Sequence, residues 1–331
     1  MRDLLLQLDG KLPNLALMRL ATHLKAAGRE VVFRRVANAG SLERDLWEKP
    51  FDQVYGSLIF ESTRPLAEKV LKIHPDAILG GTGWNLTATL EVIGVPRETR
   101  QDYSLYPSYL DSIGFTQRGC RLKCGFCVVP RKEGKVFEEQ TVAELWRGDP
   151  FPRHLALLDN DFFGQPRWRE RLREIRDGGF RVSFTQGINA RLLDDEAAAG
   201  IASVDYRDDS FSVKRIYTAW DSATDEDRLF RGLESLVRYG VKPDHVMVYM
   251  LIGYRKGETA SDRIYRQAKL RAFGARPYPM PFTRSAELVG FQRWVIGAYD
   301  KRVSWEAWER AHYDPRRLGL YNETPLFGEV S

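Results

Sequence analysis

Outside residues 120–127 this 331-residue chain has no cysteine, and inside that window it has three, Cys120, Cys124 and Cys127. An odd set in one short loop argues against a disulfide framework, which would strand one thiol. It also leaves no thiolates for a second metal centre. Histidine is nearly as scarce, with five in all, and the nearest to the cysteines, His74 and His154, are far off in sequence. The short Cys/His spacing of a structural zinc site is therefore missing. Long apolar runs are lacking too. The stretch within Met1–Asp9 is too short for a signal peptide and nothing else reaches membrane-spanning length, which makes the cytoplasm the expected compartment. Neither sign of charge dominates: 50 Lys and Arg face 45 Asp and Glu, a net charge of +5 that offers only modest attraction to a polyanion. Low-complexity tracts and internal repeats are absent.

What is present reads as a globular enzyme of two domains, with 43% hydrophobic and 12% aromatic residues. The first hundred residues alternate apolar strand-like runs with helical periodicity: strands at 4–8, 31–36, 53–60 and 77–79, helices at 13–27 and 64–73, the first closing at Gly28. That alternation predicts a parallel sheet covered by helices. A glycine-rich run, Gly80-Gly-Thr-Gly-Trp-Asn85, follows, but it lacks the G-x-G-x-x-G spacing that cradles a dinucleotide. Residues 101–111, with Tyr103, Tyr106 and Tyr109, read as a linker. A strand from Ser112 to Gln117 then delivers the cysteine loop from its carboxyl end, where parallel barrels gather their active-site loops. About five further strand and helix units follow over 112–284, beginning with a capping box at Thr141–Glu144, and residues 285–331 form a C-terminal helical extension.

Thiolates spaced C-x3-C-x2-C can reach three irons of one cubane cluster, because a short loop curls around a single soft object. Three ligands for four irons leave one iron open to an outside ligand. A zinc site and inert thiols are the weaker readings of the same residues. On this motif the chain resembles the radical S-adenosylmethionine superfamily. The resemblance implies an N-terminal Rossmann-like, cobalamin-binding-type domain (1–100) and a C-terminal partial (β/α)6 TIM-like barrel. It implies a 4Fe-4S cluster on Cys120, Cys124 and Cys127, S-adenosylmethionine on the open iron, and an electron donor of the flavodoxin or ferredoxin type. Phe126 is placed beside the adenine, Asp159 and Asn160 at the methionine amine, and Gln186, Asn189 and Arg191 at the ribose hydroxyls and the methionine carboxylate. Leu251, Ile252 and Met280 are placed along the adenine edge. Arginine matches a carboxylate bidentately, which makes Arg191 the leading candidate outside the cysteines. The D-x-H-x-x-G cobalt-binding signature is missing, so cobalamin would have to bind without that ligand; a domain of this shape turned to substrate or partner contact is the preferred reading.

Phrases such as Phe184-Thr-Gln-Gly-Ile-Asn-Ala-Arg191 and Val248-Tyr-Met-Leu-Ile-Gly-Tyr254 look like a subgroup of radical enzymes common in phage and prophage genomes. This implies reductive cleavage of S-adenosylmethionine to a 5'-deoxyadenosyl radical in a bacterial or phage-infected cell. The hydrogen abstracted belongs to a nucleobase-linked group, as in thymidine hypermodification of DNA, with an isomerase-type outcome. Two alternatives stay open: a cobalamin-dependent methyltransferase with the same triad, and a nonenzymatic iron-sulfur or zinc protein that binds nucleic acid. The C-terminal stretch interleaves Arg293, Lys301, Arg302, Arg310, Arg316 and Arg317 with Trp294, Trp305 and Trp308. Nucleic-acid binders do this, but a helix pair with core tryptophans and solvated cations is the preferred reading.

Overall fold

A computed structural model describes residues 1–36, 38–42 and 49–320. The chain divides into two compact units, one comprising Met1–Asp111 with Cys127–Gly134, the other Ser112–Phe126 with Lys135 onward. Both are α/β with parallel sheets.

In the first unit β1 (Arg2–Gln7), α1 (Leu15–Ala26), β2 (Glu30–Arg35), β3 (Gln53–Ser57), α2 (Arg64–Ile73) and β4 (Ile78–Gly80) follow one another, and the sheet order is β2-β1-β3-β4, all parallel. The leucine run of β1 is explained by its central place: Leu4 and Leu6 pack with Ala67 and Val70 of α2, while Leu5 packs with Leu17, Leu20 and Leu24 of α1. Each such buried leucine contributes roughly 1.5–3 kcal/mol. Asn14 caps α1 by accepting from the Leu17 amide at 3.2 Å. In the glycine-rich run Gly81 is left-handed (φ +97°), and a Cβ there would meet the Leu58 carbonyl. The glycine is explained by close backbone approach to the β3–α2 turn.

The stretch read as a linker folds into this unit instead. Tyr106 is buried, its hydroxyl donating to Gln7 Oε1 at 2.8 Å and accepting from the Asn14 amide at 3.0 Å. A short α3 (Val129–Lys132) belongs to the same unit, with Lys132 Nζ donating to Thr82 Oγ1 of the glycine-rich run at 2.5 Å.

The second unit holds two parallel sheets and one antiparallel ribbon. The first sheet contains β5 (Ser112–Gly114); the ribbon pairs β6 (Gln117–Arg118) with β7 (Phe137–Glu138). The strand expected over 112–117 is thus broken in two. After α4 (Val142–Leu145), whose Thr141–Glu144 capping box is fully formed, come β8 (His154–Leu157), α5 (Trp168–Asp177), β9 (Arg181–Phe184), α6 (Asp195–Ala202) and β10 (Asp205–Tyr206). These complete the parallel order β10-β9-β8-β5. The other sheet is β11 (Ile216–Ala219), β12 (Val246–Ile252) and β13 (Arg276–Pro281), with α7 (Glu226–Arg238) and α8 (Ala260–Phe273) between them. Alternation along β12 puts Val246, Val248, Met250 and Ile252 into the main core and Met247, Tyr249 and Leu251 on the other face.

The chain continues through α9 (Ala286–Ile296) and α10 (Trp305–Arg310), and Trp294, Trp305 and Trp308 all join that core. Base stacking is therefore not open to them. Among the described residues no helix is long and apolar enough to cross a membrane.

Candidate functional site

Polar residues collect in the second unit at the carboxyl ends of its parallel strands, the edge where α/β sheets place their chemistry. The cysteine loop follows β5 and β6. Asp159 and Asp161 follow β8, Gln186–Arg191 follows β9, Asp221 follows β11 and Gly253-Tyr254 follows β12.

Cys120, Cys124 and Cys127 are half-buried and form no disulfide. Cys120 and Cys124 belong to the second unit, and Cys127 opens the segment grouped with the first. The Leu122 amide donates to Cys120 Sγ at 3.4 Å. The Arg121 guanidinium lies within electrostatic reach of Cys120 and that of Arg191 within reach of Cys124. Among the described residues no three His, Cys, Asp or Glu side chains are gathered to hold a metal ion. By donor chemistry three soft thiols on one short loop suit an iron-sulfur cluster, and their side chains would have to close around it.

Two buried aspartates fasten the start of this loop. Asp159 accepts from the Thr116 amide at 2.7 Å, from the Gln117 amide at 3.3 Å and from the Thr116 hydroxyl. Burial pushes its carboxyl up to about 7, against the pull of those hydrogen bonds and of the Arg118 charge. Asp161 takes the Arg121 side chain in a bidentate grip and the Arg121 amide as well. The oxygens of Asp159 are thus spent on the loop stem. Asn160 between them is half-buried.

Farther along this edge, Arg191 donates Nε to Asn189 Oδ1 at 3.0 Å and Nη1 to Asp225 Oδ2 at 2.6 Å. Burial lowers the guanidinium's proton affinity, but the Asp225 bond and the charges of Asp225, Cys124 and Asp221 raise it above the ordinary value. Its carboxylate partner is thus Asp225, 34 residues on, and not Asp194 or Asp195 close by in sequence. Burial raises the Asp221 carboxyl, and Arg191 and Arg266 partly offset that rise. Gln186 is exposed.

Phe126 is 37% exposed and meets Tyr254 edge-on at 5.3 Å, which in turn meets Phe282 at 4.9 Å. Leu251 and Met280 are in register on neighbouring strands, and Met280 is exposed. Ile252 lies on the opposite face, fully buried in the core, so it does not join them.

Sequence reasoning missed Arg121, Asp161 as its partner, and a buried pair behind the strand ends. Arg266 donates to the Trp220 carbonyl at 2.9 Å and the Leu251 carbonyl at 3.1 Å and pairs with Glu258, whose other oxygen accepts from the Gly253 amide. This pair fixes the ends of β11 and β12 side by side. The only cue in the sequence was an arginine inside the motif itself, at Arg121.

Compared with protein-family models, curated proteins and solved structures, the chain finds no match in any of the three.

Proposed function

We propose that the chain is a radical S-adenosylmethionine enzyme in which Cys120, Cys124 and Cys127 hold a 4Fe-4S cluster. The observation that carries the reading is three cysteines, none in a disulfide, within eight residues, on a stem fastened by buried Asp159 and Asp161 at the carboxyl edge of a parallel sheet. When bound, the cluster would pass one electron, taken from a flavodoxin- or ferredoxin-type donor, to the sulfonium of S-adenosylmethionine, whose C–S bond would break to give methionine and a 5'-deoxyadenosyl radical.

The chain's own part is binding and positioning. Arg191, already aimed by Asn189 and Asp225, offers its charge to the methionine carboxylate. Asn160 and Gln186 lie on the adjoining strand ends for the amine and the ribose. Phe126, Leu251 and Met280 supply apolar surface for the adenine. Within the second unit the Ile188 amide donates to the Tyr217 carbonyl at 2.8 Å and the Ala190 amide to Thr218 Oγ1 at 3.2 Å, linking the ends of β9 and β11. Those links support one curved, partial (β/α)6 TIM-like barrel that would exclude water from a radical.

The first unit, with its flavodoxin-like strand order, is the Rossmann-like domain of this reading. Its carboxyl edge is occupied by its own groups: Asp9 accepts from the Ile59 and Phe60 amides at 2.7 and 2.9 Å, and Asn14 Nδ2 donates to Ser57 Oγ at 2.9 Å. This supports a role without cobalamin. The substrate we propose is a group carried on a DNA base, rearranged after hydrogen abstraction.

The test is anaerobic reduction of reconstituted protein with S-adenosylmethionine, followed by a deuterium-transfer screen of nucleosides and modified DNA. 5'-Deoxyadenosine, labelled only from a base-linked substrate, is expected. Its absence from iron-loaded protein would remove the enzymatic reading, and label arriving from a free small molecule alone would remove DNA as substrate.

A further inference from the structure

Asp161 is a carboxylate given over almost entirely to one residue of the cysteine loop. Its Oδ2 accepts from the Arg121 amide at 3.0 Å and from Arg121 Nε at 2.8 Å, and its Oδ1 from Arg121 Nη2 at 2.9 Å. The aspartate side chain is 1% exposed and the arginine 40%, so the buried partner is the anchor and the loop residue is what it holds. The stem is tied from the same place. The Asp161 amide donates to Gln117 Oε1 at 3.3 Å, and Gln117 Nε2 donates to the Gly119 carbonyl at 2.6 Å and the Arg118 carbonyl at 2.9 Å. Gly119 turns through the left-handed region (φ +76°) to make the bend. Cys120 is thereby bracketed, with the residue before it held through its carbonyl and the residue after it through its amide and side chain.

A loop that must wrap a metal group gives up conformational freedom on binding, and that loss weakens the binding unless the loop is ordered beforehand. We propose that Asp161, Arg121 and Gln117 form a brace that sets the first half of the cysteine loop in its metal-receiving shape before any metal arrives. Arg121 and Asp161 are positioning residues on this account, acting through Cys120 and Cys124. Both ends lie within the second unit, so the brace needs nothing from the rest of the chain. What the loop receives rests on the cluster reading above; the ordering of the loop does not.

Two measurements on the full-length chain separate the claims. Hydrogen exchange of amides 119–124 in metal-free protein reads the brace alone, and release of iron to a chelator after anaerobic reconstitution reads its effect on the metal. Arg121→Ala is expected to speed both by about tenfold, as loss of an outer partner does at metal sites. Arg121→Lys, which keeps the charge without the fork, is expected to restore only part of the difference. Because Arg121→Ala leaves Asp161 without its partner, Asp161→Ala and the double variant Arg121→Ala/Asp161→Ala complete a cycle in which a single brace makes the double no worse than either single change. Thermal midpoints serve as the folding control. Exchange and release within about twofold of the parent in all four variants would overturn the brace. Failure of the parent chain to take up iron and sulfide would sink the cluster reading, while the exchange comparison would still decide the brace.

Discussion

The two units present the same kind of edge, the carboxyl ends of parallel strands, and treat it in opposite ways. In the first unit Gln7, Asp9, Asn14, Ser57 and Tyr106 satisfy one another: Gln7 Nε2 alone reaches the carbonyls of Asp9, Gly10 and Leu12 at 2.9–3.0 Å. In the second unit buried Asp159 and Asp161 are spent on holding the stem of the loop that carries Cys120 and Cys124. The first arrangement contributes stability; under the proposed function the second invests its buried carboxylates in presenting soft donors. The contrast is between buried polar groups that satisfy one another and buried carboxylates that hold a loop.

The comparison is broken most severely at the cysteines. Cys124→Ala is expected to abolish cluster incorporation and 5'-deoxyadenosine formation outright while leaving the far-ultraviolet circular dichroism unchanged, because a half-buried loop thiol carries little of the core. A smaller but still large effect separates the two faces of the β11–β13 sheet. Ile252→Ala should cost about 2–5 kcal/mol in denaturant unfolding, whereas Met280→Ala, at an exposed position, should cost little.

Next comes Asp159, whose proton is held more tightly folded than unfolded. Its contribution to stability is fully present below the ordinary carboxyl value, and it is lost as pH rises toward about 7. Asp159→Asn should flatten that decline, by at most roughly 4 kcal/mol across the interval, in unfolding curves taken from pH 4 to 8. An unchanged pH slope would mean that the carboxyl titrates normally. The smallest effect belongs to the closed edge. Tyr106→Phe removes a buried hydroxyl bridging Gln7 and Asn14 and should cost about 1–3 kcal/mol, with iron uptake unaltered. A fall in iron content for this variant would erase the functional distinction between the two edges.

Local signals were legible in the sequence because they are local. The alternation that predicts parallel α/β units is observed from β1 to β13, the Thr141 capping box closes as expected, and Gly28 and Gly274 sit left-handed at helix ends. What escaped depends on partners distant in the chain. Tyr106 docks on Gln7, 99 residues away, which draws a stretch read as linker into the first unit. The strand expected over 112–117 stops at Gly114 because the Thr116 and Gln117 amides turn to Asp159, more than 40 residues on. Asp161 carries no cue to its partner in the sequence, and only folding brings Arg121, 40 residues away, onto it. The two-residue β10 carries too short a pattern to be seen at all.

The most direct test of the central claim is the iron and acid-labile sulfide content of the anaerobically reconstituted chain, set beside a variant with all three cysteines changed to alanine. About four of each per parent chain, and none in the variant, is the predicted result. Equal content in the two, or zinc in place of iron in the parent, would contradict it.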